Sequence, residues 1–198
     1  FPSRPRLHTH LYKAIPTQAG LGGGSSDATA TLILLNEIFA LGMDDTALAQ
    51  VAATLGADCP FFVYNRPLRA GGIGNEFSEI SLKLAGYYLL LVLPPERVST
   101  AEAYSRVECR QPEHDVAEIV TRPVPLWDGV LTNDFEPSVF ALHPRLWALK
   151  TQLLADGALY ASMSGSGAAM FGICTSDKLA EKAARSYPDC DTFVLPLL

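Results

Sequence analysis

The stretch Lys13–Ala28, KAIPTQAGLGGGSSDA, packs Gly20, Gly22, Gly23 and Gly24 into five residues and runs directly into a helical pattern. Glycine permits positive φ and leaves no side chain between the backbone and a ligand. A helix that begins right after such a loop aims free N–H groups and the positive end of its dipole back into it. A junction of this kind binds phosphate. Ser25 and Ser26 add hydroxyls that can reach a phosphate oxygen or Mg²⁺. Two rival glycine motifs fail on spacing. A Walker A loop needs Gly-Lys-Ser/Thr, and no Lys follows Gly24. A GxGxxG count from Gly20 puts Ser25 in the last glycine position. A flexible linker is disfavoured, because linkers rarely run straight into an amphipathic helix. Filling the space with a side chain at Gly23 is expected to block a phosphate ligand.

The flanking pattern sets the local architecture. Leu7, Thr9, Leu11 and Tyr12 alternate loosely, as a strand would, up to Lys13-Ala14-Ile15-Pro16. A helix is expected from Ser25 to about Leu41, on the spacing of Ala28, Leu32, Leu35 and Phe39, with Asp27 in its first turn and Gly42 as its stop. Asp27 reads better as a helix-start acid than as a Mg²⁺ ligand. Asp44 can cap a second helix that ends at Gly56. Ala57–Pro60 then reads as a turn into a short strand, Phe61–Tyr64, and a second glycine cluster follows at Gly71–Gly74. From residue 86 on, the pattern is a buried strand at Tyr87–Leu93, a helix at Val98–Val107, and a Pro-broken stretch at Cys109–Thr132. Helices follow at Phe135–Leu142 and Pro144–Ala155. Strands at Leu159–Met163 and Ala168–Cys174 flank Ser164-Gly165-Ser166-Gly167, and Asp177–Ser186 is helix before a last strand, Thr192–Leu195. Strand, helix, strand, strand, helix, strand is the order of the ferredoxin-like βαββαβ unit.

Composition narrows the function classes. A formal net charge of −6 over 198 residues argues against a broad nucleic-acid surface. It does not argue against ATP, because backbone amides and one cation can supply a local positive field. The longest apolar run, Tyr87–Leu93, is far below the ~20 residues of a membrane span, so no membrane partner is expected. Phe1–His10 has Pro, Arg and His where a signal peptide would be apolar. Cys59, Cys109, Cys174 and Cys190 form no CxxC pair and read as reduced cytoplasmic thiols. His8, His10, His114 and His143 show no ligand spacing, and Trp127 and Trp147 are expected to pack.

The segment from Pro16 to Ala28 resembles the phosphate loop of the GHMP kinases. Its triple glycine resembles the branch that phosphorylates 4-diphosphocytidyl-2-C-methyl-D-erythritol. By that resemblance the ATP segment comprises Pro16, Thr17, Gln18, Ala19, Gly20, Leu21, Gly22, Gly23, Gly24, Ser25 and Ser26, with Mg²⁺ at Ser25 and Ser26. Leu55–Phe62 is similar to the family's GADxPFF stretch, whose Asp is the catalytic base. That implies a catalytic Asp58, which on its residues alone is better explained as a turn or cap. Gly71–Gly74 is similar to a later GxG segment. Val98–Tyr104 resembles V-x-T-x-x-A-Y, where an aromatic lies near cytosine, which implies Tyr104. Asn133–Glu136 resembles N-D-F/L-E. Met163–Ala168 resembles the third GHMP motif, which implies a substrate-side turn at Ser164, Gly165, Ser166 and Gly167.

The resemblance implies an α+β, two-lobed fold. Residues 1–85 would be the remainder of an N-terminal lobe (ribosomal protein S5 domain 2-like), and 86–198 a ferredoxin-like C-terminal domain. The implied reaction moves the γ-phosphate of ATP, with Mg²⁺, to the 2-hydroxyl of the cytidylyl alcohol, in non-mevalonate isoprenoid synthesis in the cytoplasm. A small-molecule substrate is implied and a homodimer is left open. The family also carries a catalytic Lys in a segment ahead of the position of Phe1, so a chain starting at Phe1 is expected to turn over little. Rival readings are another GHMP kinase, of homoserine or mevalonate type, and a nucleotide-binding piece without turnover.

Overall fold

The computed structural model describes residues 6–107 and 113–198. Cys109, at the start of the Pro-broken stretch, lies outside the described residues. Helix α1 spans Gly23–Ile38, α2 Asp45–Ala53 and α3 Cys59–Tyr64. They share a core of Leu48, Ala49, Ala52, Cys59 and Val63, against which Ala28 and Leu32 pack. Asp44 caps α2 as expected, its Oδ1 accepting from the Ala47 amide at 2.8 Å. Strands β1, Leu68–Gly71, and β2, Glu76–Glu79, form an antiparallel hairpin in which Gly71 pairs with Glu76.

Four expectations fail here, each for a local reason. Residues 6–15 carry no strand, and Leu7, Leu11 and Tyr12 are exposed. Alternation favours a strand only where a neighbour completes the ladder, and no described residue pairs there. Helix α1 begins at Gly23 rather than Ser25, so Asp27 falls beyond the first turn. The same helix stops at Ile38, before Gly42. Ala40 takes φ 48°, its amide bonds Glu37 O at 3.1 Å, and the Leu41 amide bonds Asn36 O at 3.0 Å. That is a Schellman closure, here with alanine in the left-handed position. Finally, residues 61–64 are helix, not strand: Pro60 sits in the first turn of α3, where its missing N–H costs nothing.

The second half builds the anticipated unit. Strand β3 is Tyr88–Leu93, β4 Tyr160–Met163, β5 Met170–Cys174 and β6 Asp191–Pro196, in the order β4-β5-β3-β6 with every neighbour antiparallel. Between β3 and β4 run helices α4 (Thr100–Arg106), α5 (Val116–Ile119), α6 (Glu136–Leu142) and α7 (Pro144–Ala155); α8 (Asp177–Ala184) links β5 to β6. Helix α7 lies on β4 and β5, and α8 on β3 and β6. On that face Leu90, Val92, Ala161, Met163 and Met170 pack with Leu146, Leu149, Leu153 and Ala180. The opposite face holds Tyr160, Ile173 and Phe171 against Ile119, Val120, Val124 and Trp127. Strand β5 supplies both faces, Met170 and Cys174 to one and Phe171 and Ile173 to the other, which is why it reads as a nearly continuous apolar run. Trp147, expected to pack, is instead 60% exposed on α7.

Two buried phenols follow from this packing. Burial pushes Tyr160 up to about 12, and its hydroxyl donates to Leu131 O at 3.0 Å. Burial also raises Tyr187, whose hydroxyl donates to Asp156 at 3.1 Å. A folded-state value above the unfolded one (about 10) means stability that is complete below pH ~10 and lost as pH rises toward ~12. In an alkaline absorbance titration of the seven tyrosines, Tyr160 and Tyr187 should ionise only as the fold opens. One wave of all seven near pH ~10, with the fold intact, would contradict the packing described.

Candidate active site

The glycine loop enters α1 through Gly22, at φ 63° and ψ 17°, which caps the helix with no side-chain bond. A Cβ there would lie 2.8 Å from the Phe62 ring of α3. The first intrahelical bond runs from the Ser26 amide to Gly22 O at 2.9 Å. The amides of Gly23, Gly24 and Ser25 therefore find no acceptor among the described residues. They form an unpaired donor set at the positive end of a sixteen-residue helix.

The neighbouring glycines answer to different demands. A Cβ on Gly23 would meet Ile15 Cγ2 at 2.9 Å, so a side chain there disturbs the fold before any ligand. A Cβ on Gly24 would meet nothing within 4 Å, and this exposed residue stands among the free amides. Gly20, at φ 74°, is required by the loop's seat: its Cβ would fall 2.1 Å from Ser164 O and 2.8 Å from Gly167 N. Ser164 Oγ donates to Gly20 O at 2.9 Å, and the Ala169 amide donates to Ala19 O at 3.0 Å. The loop thus rests, backbone on backbone, on the Ser164–Gly167 turn that joins β4 to β5. Arg97 Nη1 donates to Thr17 O at 3.1 Å.

Asp58 is the residue before α3. Its side chain makes no cap bond, is exposed, and has no hydrogen-bond partner among the described residues. It lines a 220 Å³ cavity with Leu21, Gly22, Phe61, Phe62, Ala70, Gly74 and Phe77. A bare carboxylate and the cap residue of an open helix end thus share one cavity. Thr29, fully buried on α1, donates its hydroxyl to Cys59 O at 2.9 Å and fixes the backbone beside Asp58. A larger cavity of 420 Å³ borders only the Pro16–Ala19 part of the loop. Of its lining acids Glu96, Asp189 and Asp191, the first two are engaged by Arg145, at 3.0 and 2.6 Å.

The other anticipated residues fall as follows. Ser164 and Gly167 touch the loop directly. Ser166 Oγ lies 3.5 Å from Thr100 Oγ1 on α4. Tyr104, on α4 and 63% exposed, meets the Phe135 ring edge-on with centroids 4.9 Å apart; it lines neither cavity. Asp27 is paired with Lys13, which leaves it poorly placed for a cation. Among the described residues no group of three or more His, Cys, Asp or Glu could hold a metal. Thr29 and Arg97 carried no signal in the sequence except, for Thr29, a polar residue on the buried side of a helix.

Both halves of the chain match one family of known proteins. Residues 2–66 match the GHMP kinases N terminal domain, and residues 126–190 the GHMP kinases C terminal family. A 4-diphosphocytidyl-2-C-methyl-D-erythritol kinase of Bacteroides thetaiotaomicron is 50% identical over 167 residues, 84% of this chain. The chain spans 61% of that relative's length. The crystal structure of a 4-(cytidine 5'-diphospho)-2C-methyl-D-erythritol kinase superposes with a TM-score of 0.77 at 32% identity, over 94% of this chain and 69% of that one. A homoserine kinase from Cytophaga hutchinsonii shares the fold, with a TM-score of 0.64 at 20% identity over 93% of this chain and 68% of its own. With both halves matched and the fold shared over 94% of the chain at 32% identity, this chain belongs to the GHMP kinase family.

Proposed function

We propose that this chain carries the triphosphate site and the general base of an ATP-dependent kinase acting on the 2-hydroxyl of 4-diphosphocytidyl-2-C-methyl-D-erythritol, in the cytoplasm. The open end of α1 supports this reading: among the described residues the Gly23, Gly24 and Ser25 amides find no acceptor, and Asp58, also without a partner there, shares a cavity with Gly22. Phosphoryl transfer needs little from the protein beyond positioning and charge neutralisation. The three amides and the helix dipole neutralise the phosphate oxygens. Asp58 accepts the proton of the attacking hydroxyl. Tyr104, backed by Phe135, offers an exposed ring on which a cytosine can stack. Mg²⁺ prefers substrate phosphates and few protein ligands, and the Ser25 and Ser26 hydroxyls suit that; the ion supplies further charge neutralisation on the triphosphate.

We further propose two lobes, residues 1–85 and 86–198. The separate cores support them, with Ile80, Leu82 and Leu84 leaning from the first onto the second. The choice of alcohol comes from the identity to the cytidylyl kinases. The native protein, offered ATP and a panel of alcohols, should phosphorylate the cytidylyl substrate and leave homoserine and mevalonate essentially untouched. Preference for either of those would overturn the substrate while leaving the family intact.

A further inference from the structure

The segment Asn133–Glu136 does more than start α6. Glu136 is 7% exposed, an unusual place for a carboxylate, and it is fully engaged. Its Oε1 accepts from Ser162 Oγ at 3.0 Å and from the Met163 amide at 2.9 Å, and its Oε2 from Lys150 of α7. Asn133 spends both hydrogens of its Nδ2 on the same place, donating to Met163 O and to Gly165 O at 2.8 Å each. Its Oδ1 accepts the Phe135 amide at 2.9 Å, which locks the donor's orientation. Met163, the last residue of β4, is thus held at its N–H by Glu136 and at its C=O by Asn133. The turn that begins there is the surface on which Gly20 sits with no room for a Cβ.

We propose that Asn133 and Glu136 are positioning residues for the glycine loop, acting through the Ser164–Gly167 turn; their consequence for nucleotide binding rests on the reading of Pro16–Ser26 as the triphosphate site. A hydrophobic pair could join α6 to α7 as well as Glu136 and Lys150 do, since buried ion pairs rarely beat apolar packing for stability alone. What such a pair could not do is accept the Met163 amide and the Ser162 hydroxyl at the mouth of the turn. The same segment sets Phe135 against Tyr104, so the stacking ring and the phosphate loop hang from one short stretch of chain.

The test uses Asn133→Ala and Glu136→Gln in the native protein, with amide hydrogen exchange read without ligand and ATP affinity read separately. Asn133→Ala should speed exchange of the Ala169 and Gly167 amides, which bond Ala19 O and Ser164 O, about tenfold while α2 is unchanged, because two bonds to the turn are lost and nothing in α2 is touched. Glu136→Gln keeps a carbonyl oxygen for Ser162 and Met163 and should retain most of that protection. Unchanged exchange at those two amides in Asn133→Ala, or equal acceleration in α2, overturns the proposal, the latter by showing a merely global loss of stability. A loop that loosens while ATP affinity stays at the wild-type value upholds the tether and instead refutes the triphosphate reading of the loop.

Discussion

Replacing Asp58 by Asn in the native protein should lower kcat by about 10²–10⁴, the usual worth of a positioned general base. The substitution keeps the shape and removes the basic oxygen. It should leave stability nearly unchanged, because the Asp58 side chain caps nothing, bonds nothing among the described residues and is exposed. That separation makes the experiment clean: loss of rate cannot be attributed to loss of fold if the melting temperature is unmoved. KM for ATP should also hold if, as proposed, the carboxylate serves the alcohol's proton rather than the phosphates. Near-normal turnover in Asp58→Asn removes this residue from the chemistry.

Placing Val at Gly24 should cost nucleotide binding at least about 100-fold while the protein stays folded. The new side chain enters open space, since a Cβ there meets nothing within 4 Å. Gly in a helix costs roughly 0.5–1 kcal/mol relative to Ala, so replacing it is not expected to destabilise the chain much. The branched side chain would stand among the free amides of the helix end, where a phosphate oxygen must come within hydrogen-bond distance. Gly23→Val, which the glycine run alone suggests, is a poorer probe: its side chain would press on Ile15, so lost binding could reflect a displaced loop. Calorimetry with ATP separates the outcomes, and undiminished affinity in Gly24→Val places the triphosphate elsewhere.

Local chemistry made much of this legible. Helix α7 has the bounds that Pro144 and Gly157 suggest, because both residues act within a turn of the helix end. The βαββαβ order came through for the same reason, as turn residues punctuate every element. Phe61–Tyr64, expected as strand, is helix: a short apolar run fits a buried strand or a buried helix equally well, and Pro60, in the first turn of α3, is the signal that decides. The start of α1 moved because Gly23 and Gly24, poor helix formers, are drawn into the helix by Gly22 at its left-handed cap. What no local pattern could disclose is what the loop rests on. Gly20 and Ser164 are 144 residues apart in the chain, and Asn133 lies 30 residues before the carbonyl it holds. The residues of the loop and of the Ser164–Gly167 turn were visible in advance, and the bonds that join them were not.

On the proposed function, the end of α1 holds a triphosphate whose terminal phosphate faces the Asp58 cavity. A crystal structure of the native protein with a non-hydrolysable ATP analogue tests it directly. Phosphate oxygens are expected within hydrogen-bond distance of the Gly23, Gly24 and Ser25 amides, with the γ-phosphate on the side of Leu21, Gly22 and Asp58. Phosphates bound instead in the larger cavity, beside Glu96, Arg97 and Asp189, would contradict it.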